Sequence, residues 1–138
     1  MRSRSTVFVD TNAWIALALS RDPLHPRALN AWEQLAASHA RIVTSAPVIL
    51  ETVTFLDRNA TRDVALQWKD ALDTISNFGV LTCTEADMRD AWQYFARRDL
   101  HKLSAVDATS FVLMSSHGIG RAFSFDHHFA SVGFSMVG

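Results

Sequence analysis

Apolar positions along this chain fall into two rhythms. Short, β-rich apolar runs alternate with longer segments in which apolar residues recur every three or four positions. Thr6-Val7-Phe8-Val9 is the first such run and predicts a strand. A helix is predicted over 12–19, and Asp22-Pro23 and His25-Pro26 break the chain after it. Leu29, Trp32 and Leu35 mark one face of a second helix, and Arg41-Ile42-Val43-Thr44 reads as a second strand. Ser45 suits an N-cap and Pro47 the first turn of a helix carrying Ile49, Val53 and Leu56. Thr61 can cap a fourth helix, with Val64, Trp68, Leu72 and Ile75 on one face and Gly79 as its stop. Val80-Leu81-Thr82-Cys83 predicts a third strand. Thr84 and Asp87 form a capping box for a fifth helix, in which Met88, Ala91, Trp92 and Phe95 share one side. Residues 97–103 read as a polar, basic loop. Ser104 and Asp107 form a second capping box, opening a helix that runs to about Ser116 and ends at Gly118 and Gly120. Ala122-Phe123-Ser124-Phe125 is the fourth predicted strand and residues 134–137 are a candidate fifth.

Strands separated by helices require crossover connections. The expected fold is therefore a three-layer α/β/α sandwich around a mostly parallel sheet of four to five strands. With 138 residues the chain suits a single domain spanning 1–138, and 49% hydrophobic against 20% charged residues suits a packed core. A net charge of −1 gives no sign of a purely basic nucleic-acid surface, although an acidic catalytic cluster would cancel basic contacts elsewhere. Cys83 is the single cysteine, so no internal disulfide can form, in keeping with a reducing compartment. The basic start, Met1-Arg2-Ser3-Arg4-Ser5, lacks the apolar run of a signal peptide, and no stretch approaches a membrane span. The expectation is a cytoplasmic protein with no membrane association.

The acids are distributed with more point than the bases. Asp10 follows the first strand directly and Asp126 the fourth. Glu51 lies in the second turn after the second strand, and Asp107 in the first turn of the helix before the fourth. In an open parallel sheet, ligand sites form beyond the carboxyl ends of the strands, and all four acids belong to that edge. Four converging carboxylates would repel one another unless a cation neutralised them. Oxygen donors without His or Cys suit a hard ion, magnesium or manganese, which can activate water for attack on phosphorus. Each acid also has an ordinary local job open to it. Asp10 suits a turn or N-cap, Glu51 a solvated helix face, Asp107 its capping box, and Asp126 the cap of a short final helix.

The local words decide between these. Val-Phe-Val-Asp-Thr-Asn-Ala-Trp (7–14), Val-Ile-Leu-Glu-Thr (48–52), Leu-Ser-Ala-Val-Asp-Ala-Thr-Ser-Phe (103–111) and Phe-Ser-Phe-Asp-His-His-Phe (123–129) occur in that order. Together they resemble the PIN-domain family, most closely the VapC-like toxins of type II toxin–antitoxin systems, over residues 7–134. The resemblance implies that Asp10, Glu51, Asp107 and Asp126 match the family's four acidic positions, which hold magnesium or manganese and direct hydrolysis of RNA. It implies that Asn12 helps orient the first acid and that Ser104 supplies a hydroxyl beside the third. It also implies an RNA substrate, a small antitoxin partner and a homodimer. On this reading Asp10 and Asp107 are the main metal ligands, and Asp126 and Glu51 complete the cluster.

Other residues carry less. Arg97, Arg98, His101 and Lys102 suit contacts to RNA phosphates, or a solvated loop. His128 reads as a local structural residue or one acting behind the ligands, since no histidine pair has zinc-site spacing. Trp14, Trp32, Trp68 and Trp92 suit core or dimer contacts. The main rival is a non-catalytic PIN-like RNA- or protein-binding module. A phosphoaspartate phosphatase would need an acid where Asn12 stands, and a receiver domain would need a late lysine after a strand.

Overall fold

The computed structural model describes residues 3–138, and of residues 3–5 the backbone alone. Met1 and Arg2, the start of the basic leader, lie outside the described residues. Five strands, β1 (Ser3–Val9), β2 (Arg41–Ser45), β3 (Phe78–Leu81), β4 (Ile119–Phe123) and β5 (Ser135–Val137), form one sheet in the order β3-β2-β1-β4-β5. Every neighbouring pair is parallel. Among the described residues seven α-helices connect them: α1 (Thr11–Ala18), α2 (His25–Ala37), α3 (Ala46–Asn59), α4 (Arg62–Ala71), α5 (Glu85–Phe95), α6 (Ala105–Ser116) and α7 (His128–Ser131). Val7, Phe8 and Val9 alternate sides on the central strand, yet all are fully buried. Both faces of the sheet are therefore covered, as the uninterrupted apolar run requires. The expected three-layer architecture is what forms.

The strand order places a topological switch between β1 and β4. The chain winds outward from β1 through β2 to β3, then returns to the other side of β1. At the carboxyl end of this seam Val9 pairs with Phe123, and the Asp10 amide donates to the Phe123 carbonyl at 3.0 Å. The residues following both strands are thereby held side by side over a crevice.

Several boundaries differ from the sequence reading, each for a local reason. The segment after α4 stops at Asn77, not Gly79: Asn77 takes a left-handed φ of 53°, and its side chain accepts a hydrogen bond from Arg41. The strand then starts two residues earlier than expected, with Gly79 inside it beside Val43. A short 3-10 turn, Leu72–Thr74, carries the end of the fourth helical pattern. The fourth strand is displaced similarly, because the Phe125 amide bonds to Asn12 Oδ1 and not to a neighbouring strand. Pro26 initiates α2 in its first turn, where the chain was expected to break. On α5 the packed side is Ala91 and Tyr94, the latter edge-on to Phe111 at 5.3 Å. Met88, Trp92 and Phe95 share the other side and stand about half exposed (48, 53 and 47%). Trp14, by contrast, is core and lies 5.6 Å from Trp68 and 5.8 Å from Trp32.

Candidate active site

Asp10 follows β1 and its backbone carbonyl receives the Ala13 and Trp14 amides, but its carboxylate makes no capping bond to α1. The side chain turns into the crevice, 2% exposed. Oδ2 accepts from Asn12 Nδ2 at 3.2 Å and from Ser124 Oγ at 3.1 Å. Oδ1 is buried and has no hydrogen-bond partner among the described residues. A buried carboxylate left this way resists ionisation. Burial first and the charge of Asp107 next push Asp10 up to about 8; Glu51 adds to this, against the Thr11 amide and the Ser124 hydroxyl.

Asp107 reaches the same crevice from the first turn of α6. Its capping box is formed: the Asp107 amide donates to Ser104 Oγ at 3.0 Å, and Oδ2 receives the Ser104 amide at 3.5 Å. The long return bond holds one oxygen loosely. Burial, then Asp126, then Glu51 raise this carboxyl to about 6, and Ser104 offsets part of the shift. Asp126 also has the local job open to it, since its Oδ1 receives the His128 amide at 3.0 Å at the entry to α7. Asp126 Oδ2 has no partner among the described residues. One oxygen of each aspartate is thus tied to the protein and the other is available to a ligand.

Glu51 projects from α3 into a shallow depression shared with Pro47, Leu50 and Val106. Its charge is felt at both Asp10 and Asp107. Carboxylate oxygens of Asp107 and Asp126 and a ring nitrogen of His128 lie within 4.8 Å of one another. Geometry thus brings Asp107 and Asp126 together with His128, and charge couples Asp10 to Asp107 and Glu51 to both Asp10 and Asp107.

Ser124, unmarked in the sequence reading, sits at its centre, 1% exposed. Its hydroxyl donates to Asp10 Oδ2 and accepts from Asn12 Nδ2 at 3.1 Å and from the Asp126 amide at 3.0 Å. Asn12 donates from Nδ2 to Asp10 and accepts the Phe125 amide at Oδ1, at 3.0 Å. A signal for Ser124 existed: a hydroxyl between Phe123 and Phe125, two residues before an acid, is a poor choice for a purely apolar strand end.

The basic loop borders the site. Arg98, His101 and Lys102 are exposed, whereas Arg97 is bound in a fork by Asp99 at 3.0 and 2.6 Å. The His101 carbonyl accepts from His128 Nε2 at 2.8 Å, and His128 Nδ1 stands 2.7 Å from Asp126 Oδ1. Burial disfavours a charged His128 ring, but Asp126, the His101 carbonyl and Asp107 together hold its pKa above the ordinary value. A larger cavity of about 690 Å³ lies elsewhere, lined by Trp14, Trp32, Trp68, Leu72 and Ile75. It contains none of the acids, so the chemistry does not belong to it.

Comparison with known proteins agrees with this geometry. The 23S rRNA-specific endonuclease VapC20 of Mycobacterium tuberculosis is 35% identical over 132 residues, 95% of this chain and 97% of that protein. The crystal structure of that VapC20, described as a sarcin-ricin loop cleaving toxin, superposes with a TM-score of 0.81 at 34% identity, over 93% of this chain and 95% of the other. DNA-bound VapBC from Salmonella typhimurium shares the fold alone, with a TM-score of 0.67 at 17% identity over 95% and 96% of the two chains. The PIN domain profile matches residues 7–135. With that profile over nearly its whole length and 35% identity to a VapC endonuclease, the chain belongs to the PIN domain family.

Proposed function

We propose that this protein is a metal-dependent endoribonuclease that hydrolyses RNA phosphodiester bonds, and that it is the toxin of a type II toxin–antitoxin pair. The observation that carries the reading is the set of aspartates at the β1/β4 switch, each with one oxygen tied down and one left over, Asp10 Oδ1 being buried without a partner. Such a donor set fits a hard divalent ion, Mg²⁺ or Mn²⁺. Asp10 and Asp107 would be the principal ligands, with Asp126 and Glu51 completing the cluster. The bound ion would supply charge neutralisation and a more acidic water for attack on phosphorus. Asn12 and Ser124 keep Asp10 and Asp126 at a fixed separation, and Ser104 orients Asp107. Arg98, His101 and Lys102 are free to meet the RNA backbone; Arg97, neutralised by Asp99, contributes less.

The likeness to a 23S rRNA-specific endonuclease makes ribosomal RNA the first substrate to try. A small antitoxin, a homodimeric assembly and a cytoplasmic location complete the proposal. Among the described residues no helix is long and apolar enough to cross a membrane. The test is cleavage of 23S rRNA by purified protein in EDTA, Mg²⁺ and Mn²⁺, beside Asp10→Asn. We expect cleavage with a metal alone and none from the variant, whose fold survives by circular dichroism. RNA binding without cleavage under either metal would leave the non-catalytic binding module instead.

A further inference from the structure

His128 is the first residue of α7, 27 residues along the chain from His101, yet its ring joins the two sides of the site. A carbonyl can only accept, so the 2.8 Å bond to His101 requires the hydrogen on Nε2. The other nitrogen, Nδ1, lies 2.7 Å from Asp126 Oδ1, the oxygen that already receives the His128 amide at 3.0 Å. That contact has the distance of an ion pair but not the alignment of a hydrogen bond. The side chain is 9% exposed, and His127 stacks on its ring at 4.6 Å. The ring is thus tied to the basic loop through Nε2, while Nδ1 abuts a carboxylate of the cluster.

Leu100 and Leu103 anchor the loop in the core, and His128 ties its polar backbone between them. Its internal backbone bonds are long, 3.4 Å from Leu100 to Arg97 and 3.3 Å from Leu103 to Leu100. Lys102 takes a left-handed φ of 61°, a conformation a lysine does not favour. The 2.8 Å bond to His128 is shorter than either internal bond and joins the loop to the acid-bearing edge. At the other end, Oδ1 of Asp126 accepts one hydrogen bond from the His128 amide and abuts Nδ1, so His128 sits against Oδ1 and not Oδ2.

We propose that His128 is a positioning residue that links the Asp126 carboxylate to the loop 97–103, so that metal binding and RNA engagement are set by the two nitrogens of one ring. This rests on the nuclease reading above. The two nitrogens can be separated by substitution. In His128→Gln the amide nitrogen replaces Nε2 and keeps the loop; in His128→Asn it replaces Nδ1 and keeps the carboxylate. With Gln we expect the Mn²⁺ Kd, measured by calorimetry without RNA, to rise about tenfold while KM for RNA stays near wild type. With Asn we expect KM to rise about fivefold with the Mn²⁺ Kd nearly unchanged.

Equal effects of both variants on both quantities, or no effect of either, would overturn the proposal. Nitrogen-15 spectra of the wild type test it even if a variant does not fold: Nε2 must carry the hydrogen, and a bare Nε2 overturns the tether. Nitrogen coupling to bound Mn²⁺ in spin-echo spectra would also overturn it, because His128 would then be a ligand itself. A wild type that binds no metal and cuts no RNA defeats the nuclease reading, a result distinct from all of these.

Discussion

A serine hydroxyl has one hydrogen to give and two lone pairs to offer, and Ser124 uses them all within the crevice. Replacing it with alanine removes a donor from the buried Asp10 carboxylate and leaves the half-buried Asp126 amide without its acceptor. Leaving one such group unsatisfied costs about 1–3 kcal/mol. Ser124→Ala should therefore lower the unfolding free energy measured in urea by that amount and cut the cleavage rate at least about tenfold, by analogy with other residues that orient metal ligands. Ser124→Thr retains the hydroxyl and should recover most of both. An alanine variant that cleaves as fast as wild type would show that Asp10 and Asp126 keep their positions without the bridge. At Asp10 itself the effects separate. Asp10→Asn removes a charge that burial and Asp107 oppose, so the metal-free variant should melt no lower than wild type at pH 8 while losing Mn²⁺ binding altogether. A marked drop in melting temperature would mean that the carboxylate serves the fold and not a ligand.

Helix α6 shows how one element can hold a structural and a chemical role at once. Ser104 and Asp107 close a capping box, and the capping carboxylate is also the one that faces Asp126 and Glu51. Ser104→Ala should cost about 1 kcal/mol, the usual worth of an N-cap, and should weaken Mn²⁺ binding as well, because the amide of Asp107 loses its anchor. Ser104→Asp restores a cap but adds a negative charge beside the cluster. If capping were the sole role, that variant would regain stability and metal affinity together; we expect it to regain stability alone. The same helix explains what the sequence could disclose. Strand ends and capping boxes are local features, so Asp10, Asp107 and the order of elements were legible from neighbouring residues. The stops at Asn77 and Phe125 were not, since each depends on a partner far along the chain, Arg41 in one case and Asn12 in the other. Ser124 escaped for the same reason: its three partners come from two separate segments. Met88, Ala91, Trp92 and Phe95 were read as one side of α5, but periodicity cannot tell where that side meets the core: Ala91 and Tyr94 pack inward, and Met88, Trp92 and Phe95 stand half exposed.

The whole molecule carries the cost of building this crevice into the end of its central seam. Asp10 follows a strand whose last three residues are fully buried, so its charge would sit at the edge of the core. Its carboxyl is raised from 3.8 to about 8, and that of Asp107 from 3.8 to about 6. Between those values the folded protein holds protons that the unfolded chain releases. Stability from these two groups is therefore complete below about pH 4 and is lost as pH rises, through 6 for Asp107 and 8 for Asp10. The surface acids Asp57, Asp87 and Asp99 are shifted the other way by their partners, and their contribution is lost only on acidification below the ordinary carboxylate range. In EDTA the melting temperature should accordingly fall between pH 5 and pH 8, by roughly 5 °C or more for a domain of this size. A divalent ion binds the ionised carboxylates, so Mn²⁺ should raise the melting temperature more at pH 8 than at pH 5 and flatten the slope. Scanning calorimetry at three pH values, with and without Mn²⁺, measures both trends on the intact protein without any RNA. A metal-free melting temperature that held steady or climbed from pH 5 to pH 8 would mean that Asp10 and Asp107 are not held against ionisation, and the case for a cation between them would go with it.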